Sequence, residues 1–217
     1  MVITIDGPAA SGKSSVSREL ARRLGWRWVS TGAFYRGLAY VALQKKIDLE
    51  DDHALEVLAQ SSIWSVQMSD EKTVVLFDGN DVTEDIGQEA VGSCASKISQ
   101  FPKVRQALLD LQRHCSDGPL GLIAEGRDCG TVVFPQAPVK VFLTASSELR
   151  AARRAAEQGL DAAQTIEAQK LRDQQDSTRA VAPMQVADQA LVVDTSALDF
   201  HGVVSQVENH IKKSLNL

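Results

Sequence analysis

The sequence predicts an α/β fold: a parallel five-stranded sheet flanked by helices. Three observations point to it. The chain opens on a short apolar strand, a glycine-rich turn and an amphipathic helix; further short apolar runs recur along its length; and helical patterns separate them. Such alternation builds a parallel sheet covered on both faces, with its ligand site at the carboxyl ends of the strands.

Taken in order, Val2 to Ile5 reads as a buried strand. A helix follows from Lys13 to about Leu24, with Val16, Leu20 and Leu24 recurring every four residues. Trp26 to Val29 is a second strand. Helical patterns run from about Ala33 to Gln44 and from Ala54 to Ala59, the latter behind the candidate caps Asp51 and Asp52. From Ile63 to Val82 the texture changes to two alternating strands, parted by Ser69-Asp70-Glu71-Lys72 and closed by Asp78-Gly79-Asn80-Asp81, a small antiparallel insertion at about 61–83. Helical pattern resumes at Gln88 to Ser99. Pro102 then opens another helix with Val104, Leu108 and Leu111 on one face. Leu120 to Ala124, Val139 to Leu143 and Leu191 to Val193 complete the strands. Before the last comes an Arg-studded helix from Ser147 to Gln158 and a polar segment ending near Thr178, and a C-terminal amphipathic helix covers Asp199 to Lys213.

The 217 residues, 44% hydrophobic and 24% charged, have the make-up of an ordinary globular protein. A chain of this size buries ~70% of its unfolded surface and needs no disulfide staple. With 23 Lys+Arg against 28 Asp+Glu the net charge is −5, which argues against a nucleic-acid backbone or an anionic membrane as partner. Any anion site must be built locally. Cys94, Cys115 and Cys129 form no C-x-x-C and stand at no metal-ligand spacing to His53, His114, His201 or His210, so they read as reduced thiols. The first apolar run breaks at Asp6 and none approaches 18 residues, so neither signal nor anchor is expected and the cytoplasm is the expected compartment.

Gly7-Pro8-Ala9-Ala10-Ser11-Gly12-Lys13-Ser14 fits G-x-x-x-x-G-K-[ST] and stands between a strand and a helix, the context that motif demands. Its glycines let the backbone curl, so that successive N–H groups and the positive end of the next helix meet phosphate oxygens, while Lys13 adds a point charge between the terminal phosphates. Ser14 would hold Mg²⁺ through its hydroxyl, and Ser15 follows within the same nucleotide-binding stretch. Asp6 is open to two readings, ordering a metal-bound water or capping the turn. The motif binds a nucleoside triphosphate, and three classes then divide. A regulatory GTPase would carry N-K-x-D, but the chain contains no Asn-Lys pair. A motor would need more chain. A small kinase needs an acceptor pocket, cations around the transferring group and a lid that excludes water.

The remaining sequence offers those parts. Arg36, Arg105, Arg127, Arg150, Arg153, Arg154, Arg172 and Arg179 fall mostly near strand ends or on the polar segment after Ser147, and Arg suits bidentate phosphate contacts. Glu125-Gly126-Arg127-Asp128 places an acid, a flexible joint, a base and an acid at the ligand-facing edge.

The loop, Ser30-Thr31-Gly32-Ala33-Phe34-Tyr35-Arg36, Phe101-Pro102-Lys103-Val104-Arg105, Glu125 to Pro135, and Asp176-Ser177-Thr178-Arg179-Ala180-Val181-Ala182-Pro183 occur in an order that resembles bacterial cytidylate kinases, from Val2 to about Asp194. The resemblance implies a P-loop kinase, in which the insertion enlarges the monophosphate-binding domain. The core would comprise 1–60, 84–150 and 180–217, and a mobile helical lid would span about 151–179. It implies phosphoryl transfer from ATP to CMP or dCMP with Mg²⁺. Thr31, Arg36, Arg127 and Arg179 would hold the acceptor phosphate; Ser96, Arg105 and Asp128 would read cytosine; Arg172 and Asp176 would meet the sugar. Lys13, Arg154, Arg172 and Arg179 would be catalytic, with Arg150 stacked on adenine and Arg154 on donor phosphates. ATP and CMP or dCMP are the expected partners, without nucleic acid or membrane, and the chain is expected to be a monomer. A kinase for another small acceptor such as UMP or shikimate, and a non-catalytic ATP-binding module, are the alternatives.

Overall fold

The computed structural model describes residues 1–68, 72–158 and 162–216. The turn residues Ser69, Asp70 and Glu71 lie outside them. The central sheet has five parallel strands in the order β2-β6-β1-β7-β8, formed by β1 (Val2–Asp6), β2 (Arg27–Ser30), β6 (Leu122–Gly126), β7 (Val139–Thr144) and β8 (Leu191–Asp194). A second, antiparallel sheet carries β3 (Trp64–Met68), β4 (Thr73–Phe77) and the two-residue β5 (Asn80–Asp81).

Two apolar cores lie on opposite faces of the main sheet, and β6 shows why. Successive strand residues point to opposite sides. Leu122 and Ala124 enter the core built with α2 (Gly32–Gln44), α3 (Asp52–Ala59), α4 (Glu89–Ile98) and α5 (Pro102–His114), whereas Ile123 enters the core with Ile3, Ile5 and Val141. That second core is closed by α1 (Lys13–Leu24), through Val16 and Leu20, and by α8 (Phe200–Leu215), through Val203, Val207 and Ile211. Asp51 caps α3 by accepting from Ala54 N at 2.9 Å, Asp199 caps α8 by accepting from Gly202 N at 2.7 Å, and Pro102 opens α5.

The structure shifts several boundaries. β6 starts two residues later than its apolar run and extends through Glu125 and Gly126, which pair with Ile5 and Asp6; Leu120 lies outside the strand and is 52% exposed. Leu111 does not join Val104 and Leu108 in the core; it is 43% exposed. The polar segment after α6 (Ser147–Gln158) holds a full helix, α7 (Ala162–Thr178). No helix among the described residues is long and apolar enough to cross a membrane.

Candidate functional site

β1 sits in the middle of the sheet, between β6 and β7, so the loop after it emerges at the sheet's carboxyl edge beside the end of β6. Gly7 has φ 147°, and a Cβ there would lie 2.0 Å from the Leu143 carbonyl oxygen, so no other residue fits. Gly12, at φ 91°, has no side chain to cap α1, so the first-turn amides are open to an anion. Ala10 is held in the left-handed region at φ 55°, a conformation costing an L residue about 1–2 kcal/mol. Such strain gathers at ligand clamps.

Lys13 is buried, and its Nζ donates to the Pro8 carbonyl oxygen at 2.6 Å. Burial, followed by the charge of Arg127, pushes its ammonium down to about 7, against the pull of Glu125, Asp6 and Asp176. Asp6 accepts from Cys129 N at 2.9 Å and from Gly130 N at 2.7 Å, so its carboxylate ties the end of β1 to the turn that follows β6. Burial raises its carboxyl to about 6 despite those two amides. Ser14 Oγ donates to Glu125 Oε1 at 2.7 Å, and Glu125 Oε2 is buried without a hydrogen-bond partner among the described residues. A hydroxyl and a carboxylate with a spare oxygen, beside a phosphate-binding loop, suit a hard divalent cation.

A cavity of ≈ 310 Å³ runs from this loop, at Ala9, Lys13 and Ser14, across Thr31 and Arg36 to Ser96, Arg127 and Asp128. Arg154, Arg172, Asp176 and Arg179 close it from the other side. Distant segments therefore meet in one place. Thr31 Oγ1 donates to the Glu125 carbonyl oxygen at 2.8 Å, tying the end of β2 to β6. Arg127 donates to Asp176 Oδ2 at 2.8 Å and to the Gly7 carbonyl oxygen at 3.1 Å, linking the loop to the end of α7.

Deeper in, Arg105 and Arg179 converge on the buried Asp128, Arg105 through a direct hydrogen bond and Arg179 Nη2 at 3.5 Å. Arg105 lies over the Tyr35 ring, 5.3 Å from its centroid. Arg36 donates to the Ile86 carbonyl oxygen at 2.6 Å. Burial, then the charges of Arg172 and Arg154, lowers the Arg36 guanidinium to about 10. Arg172 and Arg179 are likewise pushed below the ordinary range, first by burial and then by neighbouring cations. Nη2 of Arg172 lies 3.1 Å from Glu89 Oε1 and Nη2 of Arg179 lies 3.5 Å from Asp128 Oδ1, ion pairs that leave both buried donors without a well-aligned hydrogen bond among the described residues. Spare donors on crowded cations mark a place for an anion.

Not every predicted residue joins the cavity. Gly7, Pro8, Ser11 and Gly12 shape the loop from behind, and Ser15 is exposed on α1. Arg105 stands behind Asp128. Arg150, expected to stack on adenine, is buried instead: it donates to the Ala145 and Ala9 carbonyl oxygens at 3.1 and 3.2 Å and pairs with Asp173 at 2.7 Å. Its helical neighbour Arg154 does reach the cavity, because the four-residue spacing puts both on one face but at different heights along α6.

Two acids were missed in the sequence. Glu125 stood in a motif without a role of its own. Glu89 pairs with Arg154 at 2.8 Å and with Arg172 at 3.1 Å. Its signal was its phase, since Glu89, Gly92 and Ser96 share one face of α4.

The family model described as cytidylate kinase matches residues 3–213. A cytidylate kinase of Bdellovibrio bacteriovorus is 65% identical over 215 residues, covering 99% of each chain, and one of Aeromonas hydrophila is 44% identical over 219 residues, covering 99% of this chain and 95% of its own. Two solved structures share the fold: an uncharacterized protein from Eubacterium ventriosum (TM-score 0.54, 12% identity, covering 100% of this chain and 98% of that one) and a gluconokinase from Sinorhizobium meliloti (TM-score 0.51, 14% identity, covering 99% and 95%). A match that runs through the loop, the arginine-lined cavity and both flanking cores leaves one assignment: this chain belongs to the cytidylate kinase family.

Proposed function

We propose that this chain transfers the terminal phosphoryl group of ATP to CMP or dCMP, giving ADP and CDP or dCDP. The observation that carries the reading is the continuity of one cavity from the Lys13 loop to the buried Asp128. The loop amides and Lys13 hold the triphosphate, while Thr31, Arg36, Arg127 and Arg179 hold the acceptor phosphate. Ser96 and Asp128 meet the base, and Arg105 holds Asp128 from behind. A carboxylate accepts a hydrogen bond from the exocyclic amino group of cytosine and repels the carbonyl that uracil presents there. Arg172 and Asp176 meet the sugar edge.

The acceptor's attacking atom is already a phosphate oxygen anion, so no strong general base is needed and no covalent enzyme intermediate forms. An oxygen of the acceptor phosphate bonds to the terminal phosphorus as the bridging bond to ADP breaks, in line. Lys13, Arg154, Arg172 and Arg179 place positive charge around the group in transit. Ser14 and Glu125 would hold Mg²⁺, which when bound neutralises phosphate charge. The segment at about 151–179 acts as a lid that keeps water out, the insertion at about 61–83 belongs to the acceptor side, and Arg150 anchors the loop through Ala9. The three cysteines are unpaired, which suits a reducing cytoplasm.

The test is coupled ADP release with CMP, dCMP, UMP and AMP side by side, with Mg²⁺ and with a chelator. Release that follows CMP and dCMP and vanishes with the chelator is expected. Release independent of the acceptor, or faster with UMP or AMP, would overturn the assignment.

A further inference from the structure

Glu89 lies on the first turn of α4, outside every role assigned above. Its two oxygens take guanidinium groups from two different helices, Arg154 of α6 on Oε2 at 2.8 Å and Arg172 of α7 on Oε1 at 3.1 Å. A third guanidinium, Arg36 of α2, feels the same carboxylate. One turn on, Gly92 leaves room for them: a Cβ there would lie 2.5 Å from Arg172 Nη2 and 2.6 Å from Arg36 Nη2. One face of α4 thus offers the arginines a carboxylate and a bare stretch of helix.

The electrostatics agree. Partial burial raises the Glu89 carboxyl, but the hydrogen bond from Arg154 and the charges of Arg172, Arg154 and Arg36 outweigh it and leave the group below its ordinary value. Three cations gathered in a partly desolvated cavity repel one another, and Glu89 is the acid at their meeting point.

We propose that Glu89 is a positioning residue for phosphoryl transfer: it pins Arg154 and Arg172, one from each helix of the lid, at the phosphate end of the cavity before substrates arrive. The role rests on reading that cavity as the transfer site. Pre-set cations act on the transition state without reorganising, so their loss falls on kcat. Glu89 itself touches neither substrate, so binding is largely spared.

Glu89→Gln keeps size and an acceptor but removes the charge; Glu89→Asp keeps the charge on a shorter stem. For Glu89→Gln, kcat should fall between about tenfold and a hundredfold, with KM for ATP and CMP within about threefold, since misplacing a catalytic group by an ångström costs on that scale. Glu89→Asp should recover part of the loss. Hydrogen exchange of α6 and α7 without ligand should quicken in Glu89→Gln. A Glu89→Gln kcat within twofold of the parent overturns the proposal, as does a loss that lies in KM alone. A parent chain inert toward CMP sinks the acceptor assignment instead; the pinning is then judged by exchange, where faster exchange in the variant supports it and parental exchange overturns it.

Discussion

Lys13 and Pro8 close the loop on itself: the buried ammonium of Lys13 donates to the carbonyl oxygen of Pro8, five residues earlier, at 2.6 Å. The residue that must meet phosphate is held inside by the curl that presents the amides. Leu143 packs against Gly7, and Arg150 reaches Ala9, so the curl is braced from β7 and α6. On the proposed reading, a triphosphate seated on the amides would draw Lys13 off Pro8 without remaking the loop.

Replacing Lys13 by Met should therefore remove chemistry and spare the fold. The loss expected in kcat is on the order of 10³-fold or more, the scale at which a single cation on a transferring phosphoryl group counts. Stability should not fall, because the variant removes a buried charge whose desolvation opposes folding. Coupled ADP release and a thermal melt of the same sample check both halves, and near-parental turnover would take Lys13 out of the mechanism.

The lowered value of Lys13 predicts proton uptake on nucleotide binding. Burial places the folded group at about 7 against an ordinary 10.5, so above pH 7 it is largely neutral in the free protein. A polyphosphate favours the charged form, so binding at pH 8 takes up a proton and affinity falls as pH rises from 7 toward 9. The stability sign runs the other way: between 7 and 10.5 the unfolded chain holds the extra proton, so this group's contribution to stability rises with pH. Titration calorimetry of an ATP analogue at pH 8, in buffers of different protonation enthalpy, reads the uptake directly. Binding heats that do not depend on the buffer would contradict it.

Much of this was legible because the loop couples a spacing to a context: strand, two obligatory glycines, Lys and helix leave little else to fold there. The two flanking cores followed from period. Legibility failed where burial is polar. α7 turns Thr165, Gln169, Arg172 and Asp176 inward and leaves Leu171 58% exposed, so no apolar stripe announces it. Glu125 was read past the end of its strand because a buried acid breaks an apolar run, yet β1 pairs with it backbone to backbone. Glu89 shows only its phase on α4: its partners come from α6 and α7, more than sixty residues on, and no local spacing encodes that meeting.

Asp128 predicts base selectivity. Its carboxylate sits between Arg105 and Arg179, so Asp128→Asn leaves two buried guanidiniums with less than their full counter-charge and should cost up to about 3–5 kcal/mol of stability. An amide can also donate to the carbonyl of uracil where a carboxylate cannot. The ratio of kcat/KM for CMP over UMP should shrink by about 1–3 kcal/mol, roughly fivefold to a hundredfold. Paired acceptor kinetics and a denaturant melt separate the two effects, and an unchanged ratio would move base reading elsewhere.

The last prediction concerns α6 and α7. They pack on each other, and α7 meets α4, but among the described residues the apolar side chains that α6 buries are the small Ala151 and Ala155, and the side chains that α7 buries, Thr165, Gln169, Arg172 and Asp176, are polar. Segments with so little apolar burial open at low free energy, and their amides exchange through local opening. In the free protein both helices should exchange faster than β1 and β6, whose side chains are nearly all buried. A bisubstrate analogue joining adenosine polyphosphate to cytidine would engage Arg154, Arg172 and Arg179 at once. If opening must release it, exchange slows by about the ratio of ligand concentration to Kd, near a hundredfold at 100 times Kd. That slowing should cover α6 and α7 and leave the outer turns of α8 untouched, since α8 packs against α1 on the other face of the sheet. Equal exchange with and without the analogue would mean that the helices do not close over the substrates, and water would then have to be excluded by the cavity walls alone.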